Sequence, residues 1–176
     1  MTTKLWQIEF ADPEAALRTS LGKLGLEQVD CYLIHWPNSF FEVEEENRVP
    51  MHKLWPSLER LVDLGLTKSI GLSNFNLQLT SDLLTYARIK PVVNQIELHP
   101  LLAQTELVRF LKDHDIVPVA YCPIVRQGDP KTAHAHEHPY LKSLAEKYGK
   151  SVTQIMLNWA LVRGTVPIPK SGTFEN

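Results

Sequence analysis

Cysteine is scarce in this chain. Only Cys31 and Cys122 occur among 176 residues, far apart and without CxxC spacing. That excludes a disulfide framework and a cysteine-built zinc site, and both thiols are expected to be reduced. Cys31 lies inside an apolar run and is expected to be inert packing, and nothing near Cys122 would activate its thiol. No apolar run approaches the length of a membrane span, and Met1-Thr2-Thr3-Lys4 begins no signal peptide. The expectation is therefore a soluble, cytoplasmic protein without a membrane partner. Strong charge of either sign is missing too: the net charge of -2 gives no reason to expect a nucleic-acid partner. No GxGxxG turn follows any strand pattern, which argues against a Rossmann-type sheet. Metal-ligand spacing and a nucleophile elbow are likewise absent.

What remains is an ordinary globular composition, 44% apolar and 22% charged, with room for one sizeable core. Strand-like and helix-like patterns alternate. Strands are expected near 2–6, 30–35, 68–72, 91–98, 117–121 and 166–168. Helices are expected near 13–24, 53–64, 77–87, 104–114, 139–148 and 152–163. Asp12 caps the first helix, Pro13 suits its first turn and Gly25 ends it. Pro56 is expected in the first turn of the second. Alternation of this kind implies parallel strands with right-handed crossovers, in an open doubly wound sheet or a (β/α) barrel. Without a Gly-rich turn the barrel is favoured. Six strands are two fewer than a complete (β/α)8 barrel. The expectation is thus one partial barrel domain spanning 1–176.

Polar groups recur where the strands stop. The run Asp30-Cys31-Tyr32-Leu33-Ile34-His35-Trp36-Pro37 reads as a buried strand that ends in an imidazole, an indole and a proline. Lys4, Ser73 with Asn74, Gln95, Tyr121, and Lys170 with Ser171 occupy matching positions on other strands. In a barrel these ends converge on one face. Two cations with donors suit a phosphate-bearing ligand, amides suit another amide, and a ring suits stacking on a flat heterocycle.

These motifs resemble the aldo-keto reductase family, in its aldose and xylose reductase branch. The matching segments are Thr3-Lys4-Leu5-Trp6, residues 30–37, Gly71-Leu72-Ser73-Asn74-Phe75, Asn94-Gln95-Ile96-Glu97-Leu98-His99-Pro100, Ala120-Tyr121-Cys122-Pro123 and Ile168-Pro169-Lys170-Ser171. They cover the family's barrel from its third strand to just past its eighth. The resemblance implies reduction of aldehydes or ketones to alcohols with NADPH, NADH being the other option. In it, Lys4 and His35 are the catalytic residues: Lys4 lowers the pKa of a tyrosine and His35 orients the carbonyl. Trp36 and Trp6 are pocket walls. Ser73, Asn74 and Gln95 hold the carboxamide, Tyr121 stacks on nicotinamide, and Lys170 with Ser171 meets the 2′-phosphate.

The family's catalytic set also contains an Asp and a Tyr, and neither is expected in this chain. Tyr32 should point to the opposite side of its strand from His35. Asn176 stands where the family often carries an arginine that clamps the 2′-phosphate, and Cys122 where it often carries serine. Open barrel edges invite association with another chain. The alternative to an enzyme is a non-catalytic cofactor-binding or interaction protein built on the same barrel. His99 is expected to be structural. His134, His136 and His138 are expected to be an exposed polar loop rather than a metal tract. Phe40 and Phe41, in the long acidic segment 38–51, suit either a pocket wall or loop packing. Trp55 and Trp159 are expected to pack helices.

Overall fold

A computed structural model describes residues 1–38, 44–125 and 133–170. Six strands form one sheet in chain order: β1 (Thr2–Leu5), β2 (Val29–Ile34), β3 (Thr67–Ser73), β4 (Val93–Glu97), β5 (Val117–Tyr121) and β6 (Val166–Ile168). The helices are α1 (Pro13–Leu24), α2 (Met51–Asp63), α3 (Leu77–Leu84), α4 (Thr105–Asp113), α5 (Pro139–Tyr148) and α6 (Val152–Val162). The chain divides into two compact units, Met1–Asn94 and Gln95–Asn176. Among the described residues no helix is long and apolar enough to cross a membrane.

In the first unit β2 pairs in parallel with β1 on one side and β3 on the other. Parallel strands covered on both faces need apolar side chains throughout, and Cys31 to Ile34 are all buried. α1 forms where its caps predict. Asp12 Oδ1 accepts from the Ala15 amide at 3.0 Å, and Pro13 needs no donor at the first position. Gly25 takes the left-handed conformation (φ 66°) that closes the helix. Leu17 and Leu21 of α1 and Leu54, Trp55, Leu58 and Leu61 of α2 pack on Tyr32, Ile34, Ile70 and Leu72 of the sheet. The Trp55 indole is buried as expected, and its Nε1 donates to the Ile89 carbonyl at 3.1 Å.

Pro56 departs from expectation. α2 begins two residues earlier than its apolar spacing suggests, with Pro50 as its N-cap, so Pro56 lies inside the helix. Its missing N–H leaves the His52 carbonyl without a helical donor. Both residues are exposed.

A buried carboxylate fixes the turn after α3. Glu59 Oε1 accepts from the Arg88 amide at 2.7 Å and the Ile89 amide at 2.9 Å. Its Oε2 lies 3.6 Å from Arg88 Nε. Two backbone donors and a guanidinium offset the desolvation of that charge.

In the second unit β5 and β6 pair in parallel, Val119 opposite Val166 and Tyr121 opposite Ile168. α6 starts in a capping box, the Gln154 amide donating to Ser151 Oγ at 3.2 Å and the Ser151 amide to Gln154 Oε1 at 3.0 Å. Leu141 and Met156 close a small core with Val125 and Ala135. His99 is buried, with Nε2 3.4 Å from Glu97 Oε1. His136 Nε2 lies 3.0 Å from the Ile124 carbonyl, a structural contact. Trp159 carries the Arg163 guanidinium 4.6 Å from its ring centre. Short 3-10 helices at 7–9, 45–47 and 133–137 escaped the periodicity reading because one turn is too short to show a period.

Gly71 on β3 is a point of close approach. A Cβ there would lie 2.8 Å from Leu33 Cδ2 and Val93 Cγ2, and 2.9 Å from the Val93 carbonyl. Gly71→Ala should therefore lower the unfolding free energy by about 1–3 kcal/mol through overpacking, read from urea denaturation.

Candidate active site

The first unit gathers six of the anticipated residues at the carboxyl ends of its strands. Lys4 sits on β1, directly across from Leu33 of β2, and Leu5 pairs with Ile34. The His35 amide extends that ladder by one bond, donating to the Leu5 carbonyl at 3.1 Å. β2 ends at Ile34 and Pro37 comes three residues later, so the chain leaves the sheet with His35 held at its rim.

The imidazole sits between two indoles. Its centre is 4.8 Å from the Trp6 ring, edge to face at 76°. It is 6.3 Å from the Trp36 ring and nearly parallel to it, at 11°. Trp6 is 42% exposed, so this cluster reaches solvent. Partial burial lowers the pKa of Lys4. Burial, and then the Lys4 charge, lowers that of His35. Near neutral pH the imidazole is therefore uncharged and keeps one N–H to donate. A neutral donor beside a half-buried cation is suited to stabilising negative charge that develops on an oxygen.

β3 contributes the next pair. Ser73 ends the strand and is buried. Asn74 adopts φ 63°, a left-handed conformation that asparagine tolerates better than most residues. Its Nδ2 donates to the His35 carbonyl at 2.9 Å and to Ser73 Oγ at 3.2 Å. The end of β2 and the turn after β3 are thereby one hydrogen-bonded structure.

Tyr32 takes the other side of β2, as expected. It is wholly buried in the core with α1 and α2. Its hydroxyl is buried without a partner, and burial pushes its pKa up.

In the second unit Gln95 is buried on β4, and Tyr121, half-buried, ends β5. Lys170 lies just past β6 and is exposed. Ser171 and Asn176 lie outside the described residues, as do Phe40 and Phe41. Cys122 is half-buried with φ 50°. One site-adjacent residue carried no assigned role: Asn94, fully buried, donates from Nδ2 to the Phe75 carbonyl at 2.9 Å. Its sequence context does not set it apart, because Gln95 and Glu97 are polar positions of the same strand.

Residues 7–176 match the model of the Aldo/keto reductase family. The chain belongs to the aldo-keto reductase family. An uncharacterized oxidoreductase, YtbE, of Bacillus subtilis is 42% identical over 97% of this chain and 56% of its own length. Aldo-keto reductase family 1 member A1 of Gallus gallus is 40% identical over 98% of this chain and 58% of its own length. The aldo-keto reductase of the silkworm Bombyx mori superposes with a TM-score of 0.89 at 39% identity, covering 99% of this chain and 55% of that one. A crystal structure of an aldo-keto reductase complexed with NADPH gives a TM-score of 0.88 at 38% identity, over 99% of this chain and 55% of that one. The chain therefore spans a little over half the length of these relatives. Its alternating parallel sheet is the corresponding part of the aldo-keto reductase (β/α)8 barrel.

The electrostatic link between Lys4 and His35 is open to measurement. His35 should titrate below its usual value of about 6.5 in a histidine NMR series. Lys4→Met should raise that pKa while leaving it depressed, because burial is the larger cause. The folded protein binds fewer protons at His35 than the unfolded chain. Stability is therefore complete above about pH 6.5 and falls as pH drops through the window below it.

Proposed function

We propose that this chain forms part of an NAD(P)H-dependent reductase of aldehydes or ketones, working as one barrel domain. The observation that carries the reading is the His35 imidazole at the strand rim, in ring contact with both Trp6 and Trp36, its pKa lowered by burial and by the Lys4 charge. In this reading His35 donates a hydrogen bond to the substrate carbonyl and fixes its orientation. Lys4 adds positive potential where negative charge grows on the oxygen. Trp36 and Trp6 enclose the apolar part of the substrate.

The donor set fits a nicotinamide dinucleotide. Ser73, Asn74 and Gln95 offer hydroxyl and amide groups to a carboxamide, and Tyr121 offers a ring for stacking. Lys170, with Ser171, offers a cation and a hydroxyl to a ribose phosphate. The bound cofactor supplies the hydride, and these residues set which ring face meets the substrate. The NADPH complex of the similar reductase supports this cofactor, as does a relative of Arthroderma otae named a probable NAD(P)H-dependent D-xylose reductase. A cytoplasmic location fits two free cysteines.

A second reading, cofactor binding without catalysis by this chain alone, is favoured by its tyrosines. Tyr32 is sealed in the core and Tyr86 packs against the same core, so neither stands ready as a proton donor to a carbonyl held at His35.

NADPH should quench the tryptophan fluorescence saturably. Consumption of NADPH with a reactive aromatic aldehyde would show that this chain supplies its own proton donor, and His35→Ala should then cut kcat/KM by about 10²–10³ while leaving the quench intact. Saturable quenching without consumption selects the second reading. No saturable quenching overturns both.

A further inference from the structure

We propose that Asn94 is a positioning residue for the nicotinamide half of the cofactor, acting through the turn that carries Ser73 and Asn74. The inference rests on the function proposed above.

The chain reverses from β3 into α3 within four residues, and each is anchored. Ser73 Oγ accepts from Asn74 Nδ2. Asn74 reaches across to the His35 carbonyl at 2.9 Å. Phe75 is buried in the core. Asn76 caps α3, its Oδ1 accepting from the Leu79 amide at 2.8 Å. The Phe75 carbonyl points back toward the sheet, where Asn94 Nδ2 meets it at 2.9 Å. The turn is thus pinned to β2 through the Asn74 side chain and to β4 through the Asn94 side chain.

Two features show that this contact is more than incidental packing. Asn94 has no solvent exposure, and its Oδ1 is buried without a hydrogen bond. An orphaned buried acceptor is unfavourable, and an apolar side chain in its place would avoid it. The amide is therefore kept at the expense of stability, and its one bond goes to the turn. In addition, the absence of a side chain at Gly71 lets β3 and β4 approach closely, since a Cβ there would meet the Val93 carbonyl at 2.9 Å. That approach brings a side chain as short as asparagine within reach of Phe75.

Asn74 holds a left-handed conformation at φ 63°, one that a released turn would relax. Relaxation would move the Ser73 hydroxyl and the Asn74 amide away from a carboxamide. Lys170 and Ser171, assigned to the adenosine end, are not part of that turn.

The test compares two ligands by calorimetry on the full chain: NADPH, and the adenosine bisphosphate fragment that lacks nicotinamide. Asn94→Asp keeps the shape and removes the donor, and Asn94→Leu keeps the branching and removes both polar atoms. Thermal unfolding identifies which variants are folded, and either one suffices. The expected result is an NADPH Kd raised about tenfold, the worth of one lost hydrogen bond, with fragment binding unchanged. Equal losses for both ligands would mean general damage and would overturn the positioning role. Unchanged NADPH binding would overturn it too. If the parent chain binds neither ligand, the proposed function fails first and this inference falls with it.

Discussion

The hydrogen bond from the Asn74 side chain to the His35 carbonyl joins the ends of two neighbouring strands. Parallel ladders deliver strand ends to one rim but leave the backbone past those ends unconstrained. Past Ile34 the ladder continues by one bond, from the His35 amide to the Leu5 carbonyl at 3.1 Å. A side-chain amide takes over there, and it can do so because asparagine accepts the left-handed backbone that aims it. The same Asn74 amide also donates to Ser73 Oγ at 3.2 Å, so the His35 backbone and the Ser73 hydroxyl share one tie.

Electrostatics around His35 work against this arrangement. A cation and an imidazole share a partly buried rim, and both pKa values are lowered. Neither group would choose that setting on stability grounds, and perturbed groups gathered in one place are a mark of a functional site. By contrast, Glu59 is buried but well supplied with donors, and no chemistry needs to be invoked for it.

Much of this was legible because it was local. Helix caps such as Asp12 and Gly25 act within a few residues, and their geometry matches the reading made from sequence. The strand ends were legible because proline or a polar group interrupts each apolar run. The burial of Tyr32 on the side away from His35 follows from the two-residue repeat of a strand. Pro56 was misplaced because the true start of α2 depends on Pro50 as a cap, which periodicity does not register. Glu59 and Asn94 were silent because their partners Arg88 and Phe75 lie 29 and 19 residues away.

The order of strands and helices, their parallel sense, the family and the residue types at the strand ends are all readable from the amino acids alone. Each of these derives from short-range pattern and from motifs in register. How those ends are held emerges only in the folded chain. It packed the His35 ring between Trp6 and Trp36, brought Lys4 near enough to depress its pKa, and committed a buried asparagine to the Phe75 carbonyl. Most of these are contacts between residues distant along the chain. Their distances and burial depend on how strands approach one another, as at Gly71, and no local pattern encodes that approach.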